Sequence, residues 1–302
     1  MHWILIALIA PLIWSVLNHA DKYLISKYSQ ETGVAGLAIF SSLFAVFALP
    51  VAYLIDRTVF DVSFVAASAL IVSGIFIMLC VFLYLHALKR DDASHVIPFT
   101  LLTPVFASVL GIIFLGEFIE GGKIIGWAIT LLGAVILSLE FDEGVRVKKI
   151  TTILMVSASF SIALGDTIFK YFAEGATFWQ AIFWSQAGFI LFGVALLFIK
   201  AYRTDFRKVL KMNNWQIVGI NIFGEIGQTS AVIINSYALL LAPIALVTLV
   251  NYTFQPLFVF ILGILITKFF PHIAQEHLTR RHITQKLLSI AIMSIGVYLI
   301  MV

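Results

Sequence analysis

IPFTLLTPVFASVLGIIFLGE, residues 97–117, decides how the chain is read, because LVNYTFQPLFVFILGILITKF, residues 249–269, repeats its pattern 152 positions later. Pro104 falls on Pro256 and Gly111 on Gly263 in one register, with apolar residues filling the places between. Two sequence halves built on one plan explain such a match. Each copy is an apolar helix with an internal proline. Proline donates no backbone hydrogen bond and frees the carbonyl four residues back, here those of Thr100 and Tyr252. In hydrocarbon a freed carbonyl needs another partner, so a proline-broken helix persists where it faces other helices or a wet cavity. A kink that merely helps packing is one reading. A break that recurs in corresponding positions of two halves also marks the binding site of a transporter.

Composition fixes the class. The chain is 61% hydrophobic and only 12% charged, with a mean hydropathy of +1.05. At 302 residues that is far too apolar for a soluble domain and belongs in a bilayer. The net charge of +3 balances 19 basic against 16 acidic residues. Nearly all lie in short breaks between apolar runs, so the charge reports membrane topology and not a nucleic-acid partner. Cys80 is the single cysteine and sits in an apolar run, so neither an intramolecular disulfide nor a cysteine metal framework is expected. No cofactor or metal is called for. The N-terminal MHWILIALIAPLIW has no basic leading region and no small-residue cleavage site, and is expected to be a retained helix.

With roughly 20 apolar residues per crossing, ten spans are expected. They run near Trp3 to Asp21, Val34 to Ile55, Phe64 to Leu88, Ala93 to Leu115, Ile124 to Leu139, Ile150 to Phe172, Phe178 to Ile199, Trp215 to Leu241, Pro243 to Phe270 and Gln285 to Val302. The longest break, Phe270 to Lys286, is at most a short interfacial helix. Lys123 to Ile136 matches Lys286 to Leu299, with Gly133 on Gly296 at an offset of 163, so the stretch Pro271 to His282 is an insertion. The halves divide near Asp142 to Lys149, as residues 1–144 and 145–302. The expected fold is therefore an all-α integral membrane protein, ten transmembrane helices in two five-helix inverted-topology repeats. Inversion follows because five is odd, so the second half enters the membrane from the opposite side.

Glu225 lies about ten residues into the eighth span, near the midplane, where an acid costs roughly 2.5 to 3.5 kcal/mol on insertion scales. Helical spacing puts Gln228, Val232, Asn235 and Ser236 on or near its face. Glu225 is expected to be a proton-coupling carboxylate or an anchor for a cationic group, against the plainer role of a carboxylate bonded to a neighbouring helix. In the ninth span Thr248, Asn251 and Gln255 lie at i, i+3 and i+7 beside Pro256 and the Tyr252 carbonyl. Amides there suit a zwitterion or a heterocycle. They suit equally well interhelical hydrogen bonds, worth only about 0.6 kcal/mol each.

In the first span Trp14, Asn18 and Lys22 share a face. Asp21, Lys22 and Lys27 read as boundary residues reaching for headgroups, and Trp14 and Asn18 as cavity residues. Asp166 and Lys170 make an i, i+4 acid–base pair that is either structural or an outer gate. Tyr84 shares a face with Cys80 and is a further lining candidate. His86 reads as an interfacial residue with a satisfied ring, and Glu117 as a residue that sets a helix end. The expected lining is thus Trp14, Asn18, Tyr84, Thr100, Gln228, Asn251, Tyr252 and Gln255. Glu225 is assigned to coupling, and Pro104, Pro256, Asp166 and Lys170 to kinks or gating. An intramembrane aspartyl protease is disfavoured, because Ala163-Leu164-Gly165-Asp166 lacks the first glycine of the G-x-G-D pattern. Neither H-E-x-x-H nor G-x-S-x-G nor a Walker loop is present.

Several spaced features together resemble one family. They are Trp14 and Asn18 in helix one, the run ASHVIPFTLLTPVFASVLGIIFLGE ending in Leu115-Gly116-Glu117, and KIIGWAITLLGAVIL. This pattern is similar to that of the EamA-type members of the drug/metabolite transporter superfamily, over almost the whole chain. The resemblance implies a ten-helix secondary carrier of a small polar or amphipathic metabolite, working by alternating access in the plasma membrane, the inner membrane of a bacterium. Family frequency favours export. Protons and a small solute are the expected partners, and a monomer or a homodimer both fit. The alternative is a passive channel or flippase-like protein. Two departures stand out: Lys268-Phe269 replaces Gly116-Glu117 in the second half, and the insertion precedes the last span.

Orientation comes from charge. One set of breaks holds 16 of the 19 Lys and Arg residues, and the other set only Arg57, Lys123 and Lys170. The positive-inside rule puts the sixteen in the cytoplasm and both termini outside, opposite to the way the family is usually drawn. An impermeant reagent should therefore label an N-terminal tag on intact cells. Labelling that requires permeabilisation would reverse the orientation.

Overall fold

The computed structural model describes residues 2–28, 34–91, 96–138, 149–211, 215–269 and 280–301. The expected junction at Asp142 to Lys149 and most of the insertion Pro271 to His282 lie outside the described residues, as do the side chains of Asp21, Lys22 and Lys27. All regular structure among the described residues is helical, with α1 His2–Tyr28, α2 Val34–Phe44, α3 Ala48–Ile55 and α4 Phe64–Leu88 opening the chain. Then come α5 Leu102–Leu110, α6 Gly122–Ser138, α7 Lys149–Ala173, α8 Phe178–Leu197, α9 Lys200–Lys211, α10 Trp215–Leu241, α11 Ile244–Phe269 and α12 Arg280–Met301. Among the described residues six helical stretches are long and apolar enough to cross a membrane, and Phe99–Leu115, Gly122–Leu137 and Leu287–Met301 are shorter apolar helices. Helices satisfy every backbone group within the segment, which is what hydrocarbon demands.

The twin proline segments fold differently. Pro104 is the third residue of α5, preceded by a 3₁₀ turn at Ile97–Leu101 and followed by a π-helical turn at Gly111–Leu115. Gly116 then ends the segment at φ 63°, a left-handed conformation that glycine adopts without strain. Pro256, by contrast, lies inside an uninterrupted α11. The expectation of two matched broken helices is therefore corrected. A proline in a first helical turn removes a donor that has no partner anyway, whereas α11 has helix on both sides to hold its direction across the missing bond.

Close approach of backbones organises the packing. α4 lies against α7 and α8, and α6 against α12. A Cβ on Gly74 would overlap the Ser185 carbonyl, and one on Gly188 the Ile71 carbonyl. Gly133 meets the backbone of Met293, while Gly296 meets that of Thr130. Small residues at such crossings replace the hydrophobic drive that lipid cannot supply.

The α3–α4 connection is pinned to the start of α8. Thr177 and Gln180 form a capping box, Gln180 Nε2 donates to the Thr58 carbonyl at 2.7 Å, and Trp184 Nε1 donates to that of Val59 at 2.9 Å. Asp56 accepts from the Thr177 and Thr58 hydroxyls, and these bonds hold its carboxyl below the usual carboxylate range. One element falls where the sequence suggested only a break. α9 is a short amphipathic helix that packs on α2 and α8.

Gly74→Val should lower the melting temperature by forcing α4 from α8, at a cost of roughly 1 to 3 kcal/mol or more. Gly224→Ala, where a Cβ meets nothing within 4 Å, should leave thermal unfolding within a degree or so of wild type, measured side by side.

Candidate functional site

Glu225 stands on α10 and is half-buried, with one carboxylate oxygen accepting from Ser41 Oγ of α2 at 2.8 Å. The two line a cleft completed by Gln228, Thr229 and Val232 on α10, Ile77, Met78 and Val81 on α4, Phe189 on α8 and Ala45. Its polar groups are Ser41 from α2 and Glu225, Gln228 and Thr229 from α10, and the rest of the lining is apolar. There is room for about one water molecule. Burial of a carboxylate beside methyl groups is costly unless hydrogen bonds offset it, and Ser41 supplies one. Ser41 is a residue that sequence reasoning missed. Its only signal was a serine pair, Ser41-Ser42, inside an apolar helix.

At the far end of α10 the chemistry differs. Lys170 of α7, 5% exposed, makes an ion pair with Glu117 and donates to the Ala242 carbonyl at 2.6 Å. The other Glu117 oxygen accepts from the backbone N–H of Ile244 at 2.7 Å, which caps the first turn of α11. Glu117 N–H itself donates to the Gly111 carbonyl. Beneath this seal an apolar cluster gathers Ala7, Ala107, Leu110, Ala163, Leu239 and Val247 from five helices. The expected pairing of Lys170 with Asp166 is thus corrected. Lys170 reaches along α7 to Glu117, which can answer its charge and cap a helix together. The role given to Glu117, setting a helix end, extends to the start of α11. Leu241 beside the seal and Glu225 are sixteen residues apart, about 24 Å along α10.

Asp166 is left with 3% of its surface exposed, and no described residue gives its carboxyl a hydrogen bond or an ion pair. Cys80 of α4 and Tyr252 of α11 lie within electrostatic reach of it. The other expected residues are distributed. Asn251 bonds through Nδ2 to Asn235 Oδ1, a link between α11 and α10, and its own Oδ1 has no partner among the described residues. Thr248 donates back to the Ile244 carbonyl at 2.7 Å. Tyr252 packs with Leu101, Leu131 and Leu257, and Tyr84 with Val96, Phe99 and Met155. His86 Nδ1 contacts the Phe82 carbonyl at 2.8 Å, a satisfied ring. Trp14 is half-buried, its Nε1 without a partner among the described residues, and Asn18 is half-buried one residue before His19, whose ring contacts the Val259 carbonyl. Gln255 and Thr100 are half-buried. Of the expected set, Gln228 lines the cleft with Glu225.

The site thus pairs a half-buried acid in a cleft between apolar helices with a buried ion pair toward the opposite end of α10. In the comparison with protein families, residues 1–139 match the EamA-like transporter family. The match takes in the first 139 of 302 residues, and with the apolar helices it marks a membrane protein whose first half is similar to transporters of the drug/metabolite type. The EamA match covers α1 to α6, which includes Ser41, Pro104 and Glu117. No curated protein matches the chain. A solved crystal structure shares the fold, with a TM-score of 0.69 at 13% identity over 99% of this chain and 97% of that one.

Removing one partner of a buried ion pair strands the other charge. Lys170→Met or Glu117→Gln should each destabilise the protein by about 3 to 5 kcal/mol. The double variant should recover a large part of that loss, read as a positive coupling energy in a thermal or chemical unfolding cycle.

Proposed function

We propose that this EamA-type protein carries a small polar or amphipathic solute by alternating access, and that the Glu225 cleft is the open side of the path. The observation that carries this reading is an asymmetry in packing. If the chain is read as two five-helix halves, α4 corresponds to α10 and α8 to α2–α3. The contact of α4 with α8 is tight, glycine against carbonyl, whereas α2 and α10 meet sparsely, through Ser41 and Glu225. Other contacts come in matched pairs, α4–α7 with α1–α10 and α5–α7 with α1–α11, and α6–α12 and α5–α11 pair with themselves. Gly133 on Met293 and Gly296 on Thr130 repeat one contact at the offset of 163. These pairings support an inverted repeat in which one interface is closed and its counterpart open. Exchanging the two conformations gives the other state.

In this mechanism Glu225 holds the coupling proton or the cationic part of the solute, Ser41 and Gln228 orient it, and the Lys170–Glu117 seal closes the far end. Export is the direction that family frequency favours. A second reading of the coupling group rests on Asp166, which is more deeply buried and has no partner among the described residues. A channel would show no saturation.

Reconstituted protein should therefore show saturable counterflow of its solute, found by screening a metabolite panel for thermal stabilisation. Glu225→Gln should cut pH-driven uptake at least tenfold with counterflow retained. Unchanged pH-driven uptake in Glu225→Gln, alongside its loss in Asp166→Asn, would move the coupling role to Asp166. Uptake that rises linearly with concentration would end the carrier mechanism.

A further inference from the structure

α9, the helix that the sequence hid in a break, has two unlike faces. Tyr202, Asp205, Phe206 and Val209 turn inward and are half-buried. The Tyr202 ring meets Phe82 of α4 edge-on at 5.7 Å, and α9 approaches α2 so closely that a Cβ on Gly36 would stand 2.7 Å from the Asp205 carbonyl oxygen. The opposite face carries Lys200, Arg203, Arg207, Lys208 and Lys211, all exposed, at spacings that place them on one side of the helix. Asp205, the one acid of α9, is on the inner face. Among the described residues no carboxylate pairs with any of the five cations. Bulky apolar side chains flank them, Phe198 at 82% and Leu210 at 60% exposure. Those side chains would sit at the acyl boundary.

We infer that α9 is a binding surface for anionic phospholipid headgroups, with the five-cation face on the phosphates and Phe198 and Leu210 dipping below them. Charge complementarity selects this occupant. A helix lying between two membrane-spanning neighbours sits at headgroup depth, and each cation near an anionic leaflet adds to its attraction. The surface is independent of which solute is carried. α2, which α9 braces through Gly36, also carries Ser41, so headgroup binding steadies the element that faces Glu225.

The test uses the full chain in neutral detergent with dioleoylphosphatidylglycerol or dioleoylphosphatidylcholine added. Native mass spectrometry should show the anionic lipid retained about tenfold or more over the zwitterionic one. The preference should collapse in a variant carrying K200Q, R203Q, R207Q, K208Q and K211Q, and should weaken in wild type as salt rises. Amide exchange over residues 34–44 should slow with the anionic lipid in wild type and not in the variant. Equal retention of the two lipids by wild type, or a preference indifferent to salt, overturns the assignment even where the variant fails to fold.

Discussion

Lys170 cannot lie buried in the bundle without an anion, and that constraint organises the end of the molecule where α7, α10 and α11 meet. A lone ammonium in a low-dielectric interior costs several kcal/mol. Glu117 lies just beyond α5, so its carboxylate can pair with Lys170 and cap the first turn of α11 at once. The Ala242 carbonyl takes another ammonium proton. One cation thereby ties together α7, the α5–α6 connection and the turn between α10 and α11. An apolar cluster from Ala7 to Val250 is buried among the same helices.

Read as two halves, the sequence differs at this interaction. In the sequence Lys170-Tyr171 of α7 has a counterpart in Lys22-Tyr23 of α1, at an offset of 148, and Asp166 falls on Asn18. Glu117, however, corresponds to Phe269, with Lys268 beside it. The second half thus has no acid at the position that matches Glu117. Toward the other end of α10, α2 and α10 meet through Ser41 and Glu225, and the cleft lies there.

Much of the architecture was legible because membrane helices announce themselves by length and hydropathy. Phe64–Leu88 begins and ends where the apolar run does. The site was harder to read, for physical reasons. The face of Glu225 could be drawn from helical spacing, and Gln228 follows it into the cleft, but Ser41 comes from another helix and no periodicity connects them. Local spacing also favoured Asp166 for Lys170, because i+4 neighbours are the only ones a sequence displays. The long lysine side chain chose a partner 53 residues away in the chain, one that could satisfy a helix end as well. Pro104 and Pro256 looked alike in register, yet the turns preceding them differ, and only the first meets a 3₁₀ segment. α9 was hidden because a dense run of lysine and arginine reads as a solvated break, whereas its inward face, Tyr202 to Val209, is what docks.

A buried ion pair is better suited to a gate than to a permanent lock. Its attraction when closed is largely cancelled by the hydration that both charges gave up. Opening into water returns that hydration, so the two arrangements differ by far less than the strength of the contact suggests. Opening into lipid returns nothing and is prohibitive. Parting of the Lys170–Glu117 pair would therefore require water to follow. Separation also leaves the first turn of α11 without its cap at Ile244, so the start of that helix is coupled to the state of the lid. The ion pair and the start of the helix that carries Asn251 and Tyr252 thus share one carboxylate.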